Sequence, residues 1–181
     1  HHGEVDLIPD LVWEKYQHNR EELKKREKIL ARDPRTAWLY AHDILRGPFP
    51  LGEPVIAKDA EWAFNYAYSI ISDRWPIGEP AIAKDAEWAF YYALQVLEDR
   101  FPLGEPEIAK SEIWAYEYAK DVLKGPFLAG EPAISKNAQN SFDYAANLLK
   151  RRFKLGEREI AKKPDLIQTY KKIFGINNEI I

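Results

Sequence analysis

Apolar residues return along this chain at a fixed interval. Leu30, Ile56, Ile82, Ile108, Ile134 and Ile160 are 26 residues apart, and so are Tyr40, Tyr66, Tyr92, Tyr118, Tyr144 and Tyr170. Six windows of 26 fill the chain without a gap: 26–51, 52–77, 78–103, 104–129, 130–155 and 156–181. Copies two and three agree at 17 of 26 positions. Such self-similarity marks a stacked repeat array, in which neighbouring copies shelter each other's apolar sides. Positions are counted from the first residue of each window, so Gly52 holds position 1.

Within a window the pattern predicts one short and one long helix. Position 8 is Asp33, Asp59, Asp85, Ser111, Asn137 and Lys163, and five of these six are strong N-caps. Pro34 and Pro164 follow at the first helical residue, where proline is favoured. A helix of roughly 14 residues is expected from there to the next breaker. Positions 12, 15, 16 and 19 are apolar or small at helical spacing. Aromatic residues at positions 11, 13 and 24 broaden that face until it needs neighbours on more than one side. The preceding Gly-Glu-Pro-x-Ile-Ala-Lys predicts a short helix of one or two turns, its Ile facing inward.

The ends are expected to close the stack. Copy six loses its Trp, its position-13 aromatic and its Ala pair. Residues 1–25 predict a helical N-terminal cap, laid over the first copy by Leu11, Val12, Trp13 and Tyr16. Asn19-Arg-Glu-Glu reads as a capping box within it. His1 and His2 read as the remnant of a purification tag. The expected fold class is therefore an all-α helical-repeat solenoid, with 26–181 one continuous domain.

Composition narrows the function. Apolar residues make up 46% and charged residues 30%, an ordinary globular balance. With no Cys, disulfides and thiolate metal sites are excluded, and a reducing compartment is compatible. No apolar run reaches the length of a membrane span, so no membrane partner is expected. The net charge of −3 is unevenly placed: the central copies are acidic, while copy five carries Lys150, Arg151, Arg152 and Lys154.

Three polar positions recur. Position 2 is Glu in every copy, Glu53, Glu79 and Glu105 among them; position 7 is Lys or Arg; position 15 is Tyr, as in Tyr66, Tyr92 and Tyr118. One reading is a ladder of ligand contacts, one set per copy, as in arrays that read single-stranded RNA. The favoured reading is an internal structural ladder, because a buried Tyr hydroxyl needs a partner and a Glu ahead of a helix can supply it. Catalysis finds no motif: HExxH, GxxxxGK[ST] and GxSxG are all missing. The expectation is a non-enzymatic protein with no cofactor and no metal.

Binding has a better handle. Positions 10, 14, 17 and 21 are expected on the long-helix face turned from the apolar stripe, and there the copies differ. Tyr68, Tyr91, Leu94 and Ile113 place apolar groups where solvent is expected, with Glu87 beside them. These five form the candidate partner-binding patch. A protein partner is the leading expectation. A single-stranded nucleic acid held by position-7 Lys and exposed Tyr is the alternative, and a self-associating spacer is a third.

The string Gly-Glu-Pro-x-Ile-Ala-Lys-Asp-x-Glu-Trp-Ala-Phe/Tyr-x-Tyr-Ala, followed by Asp-Arg-Phe/Trp-Pro, resembles short tandem helical repeats of bacteriophage proteins. The resemblance covers 26–181, most clearly copies two to four. It implies a viral origin, a host-cytoplasmic setting and a host protein, such as a defence component, as partner. It brings no catalytic residue with it.

Overall fold

The computed structural model describes residues 7–181, which contain helices and turns but no strand. The tag reading of His1 and His2 falls outside the described residues. The fold is all-α and repeats its helix pairs along the chain. It forms two compact units, one ending at Lys84 and the other spanning Asp85–Ile181. Each is described by itself.

The first unit opens with helices Pro9–Tyr16 and Arg20–Lys24. Val12, Trp13 and Leu23 are buried, but Leu11, expected to cover the first copy, points to solvent. Asn19 caps the second helix by accepting the Glu22 N–H at 3.2 Å. The return half of the expected capping box is replaced. The Asn19 N–H donates to the Tyr16 carbonyl, and the Glu22 carboxylate turns to Lys25 and Arg26. Short helices Glu27–Leu30, Glu53–Ile56 and Glu79–Ile82 alternate with long ones starting at Pro34 and Ala60. The second unit continues with long helices from Ala86, Trp114, Ala138 and Pro164, and short ones Glu105–Ile108, Glu131–Ile134 and Glu157–Ala161.

The caps sit at position 8. Asp33, Asp59, Asp85, Ser111 and Asn137 each accept the backbone N–H three residues on, at 2.8 to 3.1 Å. Lys163 makes no such bond, and Pro164 alone opens the last helix.

The long helices differ from expectation in their second halves. Each of the first five leaves α geometry for a π-helical stretch, Tyr40–Leu45, Ala67–Ile71, Tyr92–Leu97, Tyr118–Leu123 and Tyr144–Leu149. Each ends on a left-handed, non-glycine residue: Arg46, Ser72, Glu98, Lys124 or Lys150, with φ between 51° and 55°. The sixth helix, Pro164–Phe174, stays α throughout and ends on Gly175 at φ 65°. Gly175 holds position 20, whereas the other five left-handed residues hold position 21. The wider π turn therefore adds one residue before the reversal.

The core repeats with the sequence. Position 5 is fully buried in all six copies, as is the position-15 Tyr to within 1%. Ala at positions 12 and 16 is also fully buried wherever it occurs there. The tightest approach lies between copies. A Cβ on Gly52 would stand 2.9 Å from Ala37 Cβ, and one on Gly104 would stand 2.7 Å from Ala89 Cβ. A short helix thus sits directly on the long helix before it, with Gly over Ala at Gly52 and Gly104 and Gly over Ser at Gly156.

Candidate interaction surface

The recurring Glu and Tyr meet one another, whereas the position-7 Lys and Arg stay exposed. The Tyr66 hydroxyl donates to Glu53 at 2.8 Å and accepts the Phe49 N–H, from the previous copy, at 2.9 Å. Tyr118 repeats this with Glu105 at 2.7 Å and the Phe101 N–H at 2.9 Å. Tyr144 joins Glu131 to Phe127, and Tyr170 joins Glu157 to Phe153. Each hydroxyl ties its own short helix to the turn behind it, satisfying a backbone donor that the turn leaves over. Burial and the neighbouring carboxylate hold Tyr40 and Tyr118 well above the ordinary phenol value, and Tyr66, Tyr144 and Tyr170 are raised mainly by burial. Glu79 and Tyr92, the remaining members of the candidate ladder, are buried in their respective units, and Tyr92 packs edge-on against Phe101 at 5.0 Å.

A third member was missed in the sequence. Arg74, Arg100 and Arg152 each clamp the Glu five residues on through two nitrogens, at 2.7 and 3.1 Å, 2.9 and 2.9 Å, and 2.7 and 2.9 Å. Such bidentate pairs fix the carboxylate plane as well as neutralising it. The signal was present in the Asp-Arg and Arg-Arg dipeptides before Trp75, Phe101 and Phe153. Where the chain reads Gly-Pro instead, at Gly47-Pro48 and Gly125-Pro126, that Arg is missing. Arg152 also holds Glu179, at 2.7 Å, which removes it from the basic cluster.

The candidate patch divides between the units. In the first, Tyr68 is 53% exposed and stacks on Phe64 with centroids 5.7 Å apart. Nearby in sequence, Trp38 stacks on His42 at 4.5 Å, leans on Trp62 at 5.4 Å and donates its Nε1–H to Ser69 at 3.3 Å. In the second unit Ile113 is 62% exposed and Glu87 is also exposed.

Tyr91 and Leu94 are half-buried rather than solvent-facing, which corrects the expectation for both. Tyr91 belongs to an aromatic cluster with Trp88, Phe90 and Trp114, its ring 5.5 Å from that of Trp114. Leu94 lines a recess of about 310 Å³ with Val122, Glu98 and Lys124. Copy four covers both: Trp114 at its position 11 lies against Tyr91, and Val122 shares the recess with Leu94. The position-11 Trp residues are themselves only half-buried, so an aromatic surface remains open on these faces.

No described helix is long and apolar enough to cross a membrane. No protein-family model, no curated protein and no solved structure matches this chain.

Proposed function

We propose that this chain is a non-enzymatic scaffold whose long-helix faces hold a protein partner. The observation that carries the reading is a division of labour among side chains. The Glu and Tyr common to the copies are spent on one another inside the fold, while the position-7 Lys and Arg stay exposed, and half-open aromatics and the exposed Tyr68 and Ile113 lie on faces that differ from copy to copy. Aromatic rings beside a solvated rim are what protein interfaces use as anchors. The resemblance to phage repeats makes a bacterial host protein, such as a defence component, the first partner to test.

Against the nucleic-acid alternative, the recurring tyrosines are at most 1% exposed and supply no stacking ladder, although the position-7 cations and Tyr68 remain exposed. The test is affinity capture from bacterial lysate, with and without nuclease, using wild type, Tyr68→Asp and Ile113→Asp. A protein retained by wild type and released by either variant, with unchanged melting curves, supports the proposal. Material that disappears with nuclease or with moderate salt overturns it in favour of nucleic acid. Retention of the chain alone, with larger particles in light scattering, points to self-assembly.

A further inference from the structure

The turn edge of the second unit is a different surface from the long-helix faces. Two concavities recur there, one window apart. The first, of about 470 Å³, is lined by Leu123, Phe127 and Leu128, with Arg100 and Glu105 at its side. The second, of about 540 Å³, is lined by Leu149, Phe153 and Leu155, with Glu131, Arg151 and Lys154. Repeat positions 2, 20 and 22 to 26 build both. Phe127 and Phe153 are buried in the floors, whereas Leu128 and Leu155 stand 69% and 56% exposed on the rims. The two leucines hold positions 25 and 26, so each recess has its own exposed aliphatic, one residue out of register with the other.

Charge marks this edge further. Lys124, Lys150, Arg151 and Lys154 are all exposed, and among the described residues none of them sits in an ion pair. Around copy five the carboxylates are committed elsewhere, Glu131 to Tyr144 and Glu157 and Glu179 to Arg152, as Glu105 is to Arg100 and Tyr118; beside Lys124, Glu98 and Asp121 line the same recess. The edge therefore combines apolar recesses with unspent positive charge. The same positions in copy three are Glu98 and Asp99, so the basic character belongs to copies four and five and is no requirement of the fold.

We propose that this edge binds an extended acidic peptide carrying an aliphatic residue at every third position. Packed helices stand about 8–10 Å apart, so equivalent recesses repeat at about that step. A peptide in the polyproline II conformation advances about 3.1 Å per residue with three residues per turn, so three residues span one copy and every third side chain faces the same way. An aliphatic side chain enters each recess, and the intervening carboxylates face the Lys and Arg side chains. A polynucleotide fits less well, because stacking needs open aromatic faces and the two Phe rings here are buried.

The experiment is fluorescence anisotropy on the whole chain with a labelled synthetic peptide repeating Leu-Asp-Glu. Its companions are a peptide repeating Ser-Asp-Glu and a labelled single-stranded oligonucleotide. The double variant K150E/R151D gives copy five the acidic pair of copy three, and L128S/L155S removes the rims; circular dichroism melting confirms that both fold. Saturable binding of the leucine peptide is expected, weakened about tenfold or more by each variant and by Leu-to-Ser exchange in the peptide. No saturable binding, equal affinity for the two peptides, or tighter binding of the oligonucleotide overturns the proposal. Changes at Tyr68 or Ile113 should leave this binding unaltered, so the two surfaces succeed or fail separately.

Discussion

Tyr118 and Glu105 stand 13 residues apart and meet at 2.7 Å, hydroxyl to carboxylate. That contact closes a node of four groups, since the hydroxyl also receives the Phe101 N–H and the carboxylate also receives Arg100. The node links one copy's long helix, its own short helix and the turn of the copy before.

Removing the hydroxyl should be costly. Tyr118→Phe leaves the buried Phe101 N–H without an acceptor and takes one donor from Glu105. A loss of about 1–3 kcal/mol is expected, because the unmet donor costs more than the bond contributes. Urea denaturation followed by circular dichroism measures it. An unchanged midpoint would show that the node is incidental to stability.

Glycine at position 1 should tolerate no side chain. In Gly104→Ala the new Cβ would lie 2.6 Å from the Phe101 ring and 2.7 Å from Ala89 Cβ, both packed and unable to yield. Overpacking of this kind costs about 1–3 kcal/mol. Gly125→Ala is the control, since its nearest neighbour is the Leu123 carbonyl at 3.8 Å, and it should shift stability by under about 0.5 kcal/mol. Thermal melts of the two variants side by side decide the matter.

The left-handed caps offer a gain. Glu98 holds φ 51° with a side chain attached, and a Cβ in that region costs about 1 kcal/mol relative to glycine. Glu98→Gly should raise the melting temperature, as should Lys124→Gly. Gly175 already makes this choice at the end of the sixth helix. A lower melting temperature in both variants would refute the conformational argument.

Acid should loosen the nodes. At Glu105 burial opposes ionisation, but hydrogen bonds from Arg100 and Tyr118 outweigh it; at Glu157 the bonds from Arg152 lead. Both carboxyls are thereby held below 4.5. A carboxylate with a depressed folded value adds stability above its unfolded value and loses it as pH falls through the folded one. The melting temperature should therefore hold near neutrality and drop below about pH 4.5. The buried tyrosines act at the other end. Their raised values mean that stability is complete below pH 10 and falls as pH climbs past it. Melting curves across the pH range, with Glu105→Gln flattening part of the acid limb, test both signs.

The period, the helix starts and the inward residues can all be read from the amino-acid order. N-caps, breakers and apolar spacing are local signals, and each copy repeats them, so noise in one is corrected by the others. The Tyr and Glu positions were legible as a recurring pair for the same reason. Which groups meet is settled by packing between copies. The third partner of each hydroxyl is a backbone N–H 17 residues away, and no side-chain pattern announces a main-chain donor. The π stretch was hidden because one added residue near a helix end barely disturbs a 3.6-residue period. Tyr91 and Leu94 look solvent-facing on an isolated helix and become half-buried only when the neighbouring copy lays Trp114 and Val122 against them. Exposure in a stacked array is a property of the gap between copies, and the width of that gap is set by Gly against Ala or, at Gly156, against Ser.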